Sequence, residues 1–414
     1  MTLPMNTPRR LASVISLCAV LASSIATAGN PQVDGLVESA NEARKVGKVD
    51  AAIATLKTAV GIDGRHEGAL IALGRAYGAK QDYVNAEKTF LDLLTRVNPK
   101  AIDAQRYLAL VYLRKGDSAK ALEWANKALA AAPKDPESQQ LLVQIHLSKG
   151  EYDKAIAAAN LVLAADKNDP DALAAMAMAY AGKKKTGEAI KYAERLSKVA
   201  KGDIGVDFQL AGLYAQSGNT KKAKATLDGI EKKAANSPAA LEQIGAAYAM
   251  MGNADDALRL FNKVLAKEPK NPAALLGAAS VQATKGQFDV AKKNAEAARD
   301  AVPKSAEPHR TLAAIAAARK DLKGAEASLR AGIALEPKRS DLRLSLAGVL
   351  VEVNRLDEAI GEFETVRKAA PNAKELLTPL CQLYRKKADK TRGKDVCLAA
   401  CKEAGVKPEE CAVP

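Results

Sequence analysis

Aromatic side chains account for only 4% of this 414-residue chain, histidine occurs three times, and no cysteine lies between Cys18 and Cys381. That scarcity argues against two or three ordinary globular domains, which the length alone would allow. Beyond the N-terminus no stretch alternates apolar and polar residues for long enough to form a strand, which removes sheet-based folds. No glycine-rich phosphate loop, nucleophile elbow or metalloprotease helix motif occurs, so the sequence carries no catalytic constellation. What fills the chain instead is alanine above all, with leucine, lysine and glutamate. These are strong helix formers that lose little side-chain entropy on folding.

The N-terminus is a different kind of sequence. Arg9 and Arg10 precede an apolar run from Leu11 through Ile25, which closes on Ala26-Thr27-Ala28, a small-x-small pattern that signal peptidase accepts. Residues 1–28 are therefore expected to be a cleaved export signal, and residues 29–32 a short linker. The alternative is an uncleaved anchor, but the run is short for a spanning helix and carries Ser13, Ser16, Ser23 and Ser24. No other stretch could cross a bilayer, so no transmembrane segment is expected in the mature chain. Leu17, preceding Cys18, is too large for a lipoprotein signal. Export makes the periplasm the expected compartment. It also argues against nucleic acid as the reason for the net charge of +14. Anionic envelope polymers fit that compartment better, and a solvated helical face needs no partner at all.

The chain repeats itself. Alanine stands at positions 52, 86, 121, 155, 189, 223, 257, 291, 325 and 359, every step being 34 residues except one of 35 after Ala86. Other columns follow the same period. Nine residues before the alanine lie Tyr77, Tyr112, Tyr180, Tyr214 and Tyr248, and Tyr384 extends the column into an eleventh, degenerate repeat. Five before it lie Gly47, Gly116, Gly150, Gly218, Gly252 and Gly286. Four after it lie Phe90, Phe261 and Phe363, and prolines open repeats at Pro136, Pro170, Pro238 and Pro272. Each column has a physical role. Glycine caps a first helix in the left-handed conformation. Proline fits the first turn of the next helix, where its missing N–H costs nothing. Alanine lets two helices approach closely while the aromatic residue fills the wider gap beside it.

This pattern resembles the tetratricopeptide repeat (TPR). The seventh repeat carries the motif as Leu241, Ile244-Gly245, Tyr248, Gly252, Ala257, Phe261 and Pro269. The second carries Leu70, Leu73-Gly74, Tyr77, Ala86 and Phe90, with Gln81 in place of the turn glycine. The weakest matches are the first repeat, with Ala43 in the tyrosine column, and the ninth, with Ala316 there. The resemblance implies an all-α fold: a right-handed superhelical solenoid of about ten helix-turn-helix repeats over residues 33–373. Residues 374–414 would form a degenerate eleventh repeat, a capping hairpin that closes the open end. Positions several repeats apart are far apart in such a solenoid, so His66, His146 and His309 cannot share a metal. His146 falls in the tyrosine column and reads as its substitute. Neither enzyme activity, cofactor nor metal is expected.

Cys381, Cys397, Cys401 and Cys411 all lie in the last 34 residues, and an even number in an exported protein reads as disulfides. Three pairings are open. Cys381 occupies the close-packed column of its first helix and Cys397 the aromatic column of the second, a register that favours pairing these two and leaves Cys401 with Cys411.

In TPR domains the first helix of each repeat lines a concave groove, and ligands contact its second, fifth, ninth, twelfth and thirteenth places. Carried onto this chain, those places include Arg44, Arg75, Arg106, Met178, Phe208, Met250, Leu276 and Leu344. The resemblance thus implies a non-catalytic scaffold or adaptor in the cell envelope that binds a partner helix or extended peptide. A place within secretion, pilus or polysaccharide-export machinery would suit it. The competing expectation is a module that tethers anionic glycan or peptidoglycan through its basic surface. The Lys/Asn and Lys/Arg set of the cytosolic chaperone-binding clamp occurs on no adjacent pair of repeats.

Overall fold

The computed structural model describes residues 30–407 and Cys411, and every regular element among them is helical. The export-signal assignment lies outside the described residues. The chain divides into two compact bodies, one ending at Lys185 and the other beginning at Thr186. The first holds α1 (Pro31–Lys45), α2 (Val49–Ile62), α3 (Glu67–Ala79), α4 (Tyr83–Arg96) and α5 (Ile102–Arg114). It continues with α6 (Ser118–Ala131), α7 (Pro136–Ser148), α8 (Tyr152–Ala165) and α9 (Pro170–Gly182).

The second body opens with α10 (Thr186–Val199), α11 (Ile204–Gln216), α12 (Thr220–Lys233), α13 (Pro238–Met250) and α14 (Ala254–Leu265). Next come α15 (Pro272–Thr284), α16 (Phe288–Ala301), α17 (Glu307–Ala318) and α18 (Leu322–Leu335). The body ends with α19 (Ser340–Glu352), α20 (Leu356–Ala369), a single 3-10 turn (Lys374–Leu376), α21 (Leu377–Lys386) and α22 (Lys390–Glu403). Within each body a helix packs against the next in sequence, and several first helices also touch the first helix of the following repeat.

Local chemistry sets these boundaries. Pro136, Pro170, Pro238 and Pro272 occupy first-turn positions, and the side chains of Asp135, Asp169, Ser237 and Asn271 before them accept the orphan N–H groups. The turn after the first helix is left-handed in all eleven repeats, with φ between 51° and 82°. Glycine supplies it six times. Asn354 tolerates it, while Gln81, Lys184, Lys320 and Ala388 adopt it against their own preference, at a cost on the order of 1 kcal/mol each. The geometry therefore belongs to the repeat, and packing imposes it where the residue does not favour it.

The periodic alanines form the tightest part of the packing, none more than 1% exposed. Second helices bury one stripe: α14 buries Ala257, Leu260, Phe261 and Val264. First helices are apolar on more than one face, as in α9, which buries Leu173, Ala175, Met176 and Ala177. A helix with packed neighbours on several sides cannot keep a fully polar face. The Phe261 ring shows how closely the repeats are fitted. It lies against both Gly245 on α13 and Gly277 on α15, and a Cβ at Gly277 would stand 2.4 Å from the ring.

At the C-terminal end Cys381 is bonded to Cys397 and Cys401 to Cys411, the arrangement the helix register favours. Leu380, Cys381, Tyr384, Val396 and Cys397 share one core with Leu350 and Ile360 of the tenth repeat. A terminal repeat has a neighbour on one side only, and closing the 16-residue separation of Cys381 and Cys397 adds about 3 kcal/mol in the chain-entropy account.

Two glycine substitutions separate packing from propensity. Gly277→Ala forces a methyl into the Phe261 ring and is expected to destabilise the second body by about 1–3 kcal/mol. Gly212→Ala on α11 meets nothing within 4 Å and is expected to stabilise it by about 1 kcal/mol. Denaturant unfolding of the two variants checks this; shifts of the same sign would contradict the fitted-ring description.

Candidate functional site

All eight positions expected to line a groove lie on first helices. In the first body these are Arg44 on α1, Arg75 on α3, Arg106 on α5 and Met178 on α9. In the second they are Phe208 on α11, Met250 on α13, Leu276 on α15 and Leu344 on α19. None is buried.

The three arginines differ sharply in their surroundings. Arg106 is spoken for: Asp103 on its own helix, Asp135 at 3.1 Å and Glu137 at 2.6 Å from the next repeat surround its guanidinium. Arg75 lies over the Tyr107 ring at 5.1 Å, and that ring is stacked on Phe90. Arg44 has a buried Nε without a hydrogen-bond partner, and burial followed by the neighbouring Arg75 charge depresses its pKa. Arg44 and Arg75 thus form a half-buried cationic pair with no carboxylate against either, among the described residues. Such a pair is suited to an incoming carboxylate.

The second body offers a different lining. Met250 is 61% exposed at the last turn of α13, whereas Phe208, packed against the core, and Leu276 and Leu344 are half-buried. Arg310 on α17 is bound to Glu307 on its own helix. In the first body Met178 is also exposed, at 42%.

Two further columns escaped the sequence reading. Tyr214, Tyr248 and Tyr384 each donate a hydrogen bond from the phenol to a carboxylate twenty residues earlier, on the second helix of the preceding repeat: Glu194, Asp228 and Glu364. Tyr112 also donates to a carboxylate of the preceding second helix, but to Glu87, twenty-five residues earlier and one turn nearer that helix's start, at 2.7 Å. A cation lies over each ring: Lys222 over Tyr214, Lys224 over Tyr248, Arg392 over Tyr384 and Lys120 over Tyr112. The second column joins repeats at their turns. An acid in the first turn of a second helix pairs with a cation at the end of the next first helix, thirty residues on: Asp50 with Lys80, Asp153 with Lys183, Asp255 with Lys285, Asp289 with Arg319 and Asp357 with Lys387. Both partners sit at the helix end whose dipole favours their charge. The signal for both columns is a fixed offset between acid and partner.

His146 is buried in the tyrosine column with Nδ1 2.8 Å from Glu151, and His66 caps α3. Among the described residues no cluster of His, Cys, Asp or Glu could hold a metal ion, and no helix is long and apolar enough to cross a membrane.

Stacked antiparallel hairpins of this length define an α-solenoid repeat protein. Sequence profiles of the tetratricopeptide repeat match residues 37–96 and 71–136, and a second such profile matches 112–179, 180–244, 248–315 and 316–378. The chain belongs to the tetratricopeptide-repeat family, and with it to the protein-interaction scaffolds. No curated protein matches the sequence. Among solved structures, yeast Tom70 is 14% identical, with 91% of this chain and 93% of that one covered and a TM-score of 0.51. A tetratricopeptide repeat protein from Parabacteroides merdae is 19% identical over 60% of this chain and 98% of its own, with a TM-score of 0.46. PilW, a type IV pilus biogenesis factor, is 18% identical over 50% and 96%, also with a TM-score of 0.46. At these identities the likeness speaks to fold alone.

The carboxylates and phenols between repeats give stability a definite pH dependence. Hydrogen bonds from Arg259, opposed by burial, hold Glu231 down at about 2, against an ordinary value of 4.5. Its folded value is depressed, so its contribution is fully present above about pH 4.5 and lost as pH falls through about 2. Burial, then Glu364, pushes Tyr384 up to about 12 from 10.0. Its folded value is raised, so its contribution is present below about pH 10 and lost as pH rises through about 12. Denaturation midpoints measured across pH are expected to show both limbs. Glu231→Gln should flatten the acid limb and Tyr384→Phe the alkaline one; limbs unchanged in the variants would contradict these assignments.

Proposed function

We propose that the chain is exported to the periplasm and works there as a non-catalytic scaffold, holding a partner helix or extended peptide against its first helices. A secretion, pilus or polysaccharide-export assembly is the setting this reading fits. One observation carries it: Met250, on a helix that buries Leu241, Ile244 and Tyr248, leaves its own apolar side chain in solvent. An unbranched, polarizable thioether adapts to varied partner shapes. Arg44 and Arg75 supply the complementary feature, a cationic pair fit for an acidic residue of the partner. Two disulfides support an oxidising compartment.

The second reading, attachment to an anionic glycan, is favoured by the net charge of +14. Against it, cations such as Lys80, Arg259, Lys285 and Arg355 are each paired with a carboxylate of a neighbouring repeat. Salt separates the two. Attachment by charge weakens steeply with ionic strength, whereas an apolar contact does not.

The test is capture from native envelope extract, washed at low and at high salt, with the parent chain and the double variant Met250→Glu, Leu276→Glu. Retention of a protein partner at high salt by the parent, its loss in the variant and an unchanged Tm are expected. A variant that folds and still captures the same partner would overturn the first-helix assignment, and release of all bound material at high salt would favour the glycan.

A further inference from the structure

Half-buried arginines such as Arg106, Arg339, Arg343 and Arg367 are each offset by acids. Arg106 meets Asp103, Asp135 and Glu137, and Arg339 meets Glu307, Glu336 and Asp341. Arg343 meets Glu362 at 2.6 Å and Arg367 meets Glu364 at 2.9 Å. Arg44 and Arg75 are half-buried without any such offset, among the described residues. They stand close enough that the Arg75 charge, after burial, depresses the Arg44 pKa. Taking a cation out of water is costly unless it is paired, and a second cation beside it adds to the cost. The acids of α1 do not relieve it. Glu42 is paired with Lys45 at 2.5 Å and Asp34 with His66 at 3.2 Å, while Glu38, six residues before Arg44, lies off its face of the helix.

The neutral groups around the pair are also unused. Asn41, one turn before Arg44 on α1, is half-buried, and its amide makes no hydrogen bond among the described residues. The Tyr107 ring lies under Arg75 at 5.1 Å, and its hydroxyl makes none either. The phenols of Tyr112, Tyr214, Tyr248 and Tyr384, by contrast, all donate to carboxylates. Two guanidinium forks, an amide and a hydroxyl thus stand together on the first helices of three successive repeats.

The charge count selects the ligand. A single carboxylate would neutralise one guanidinium and leave the other half-buried and uncompensated. A phosphate monoester carries about −1.5 to −2 at pH 7 and three strong acceptor oxygens, enough for two forks.

We propose that Arg44 and Arg75, with Asn41 and Tyr107 beside them, form a binding site for a phosphate monoester. The proposal rests on the reading of this pair as an anion site and names the anion. Each guanidinium presents a planar fork of N–H groups to the oxygens, a geometry lysine does not offer. The ester reaches the pair either as a soluble compound or as a lipid headgroup, and the chemistry recognised is the same.

Calorimetric titration of the full mature chain with methyl phosphate tests this, with acetate and the monoanionic diester dimethyl phosphate as controls. Methyl phosphate is expected to bind at least tenfold tighter than either control. Arg44→Gln and Arg75→Gln should each weaken it at least tenfold without lowering Tm, because neither arginine is paired with an acid of the chain. Lys48→Gln removes an exposed charge from the first repeat and should leave binding unchanged. Should a glutamine variant not fold, Arg75→Lys keeps the charge, loses the fork and should weaken binding at least threefold. Acetate or the diester bound as tightly as the monoester would overturn the proposal while leaving the pair a site for a partner's carboxylate. No anion bound, or an equal loss in Lys48→Gln, would overturn both. Vesicles of phosphatidylcholine with and without phosphatidic acid decide the source. Arginine-dependent binding only where phosphatidic acid is present assigns a lipid headgroup, and binding of methyl phosphate without vesicle binding assigns a soluble ester.

Discussion

Everything in this structure rests on how closely two helices approach at one alanine per repeat. A methyl group at that crossing leaves no room for solvent, and the periodic alanines are at most 1% exposed in consequence. Close approach brings the aromatic column into contact with the facing glycines, as Phe261 meets Gly245 and Gly277. A hairpin so built still has apolar surface left over, which the next repeat must cover. The fold is therefore a chain of neighbour contacts, and any surface offered to a partner is what stacking leaves uncovered.

Charge is organised by the same constraint. Stacking at a fixed period places the first turn of one second helix beside the end of the next first helix. Acids and bases at those two points meet in repeat after repeat, as Asp255 meets Lys285 and Asp289 meets Arg319. Exposed pairs of this kind are each worth little, on the order of 0–1 kcal/mol. Their effect is to consume cations that would otherwise present a uniformly basic surface. The phenol–carboxylate pairs are more protected, and burial is the first cause of the raised tyrosine values. The exceptions to this order are Arg44 and Arg75, which have no carboxylate against them, and Met250, which stands in solvent.

The fold was legible in the sequence because the information is redundant. Ten alanines, five further tyrosine positions and six turn glycines carry one period, so Gln81 or Ala388 in the glycine column could not obscure it. The site was legible only in part, because an arginine's role depends on what another repeat places beside it. Arg75 and Arg106 look alike in a sequence, yet Asp135 and Glu137 neutralise one and an aromatic ring supports the other.

The central claim, that each repeat is held by its neighbours and by nothing further away, is tested most directly by residue-resolved hydrogen exchange on a chain lacking Pro238 to Asn271, one whole period. If the claim holds, amides of α16, α18 and α20 keep the protection they have in the parent, and altered exchange is confined to α12 and α15 at the new junction. Loss of protection throughout the second body would show a core shared across many repeats and would contradict the account.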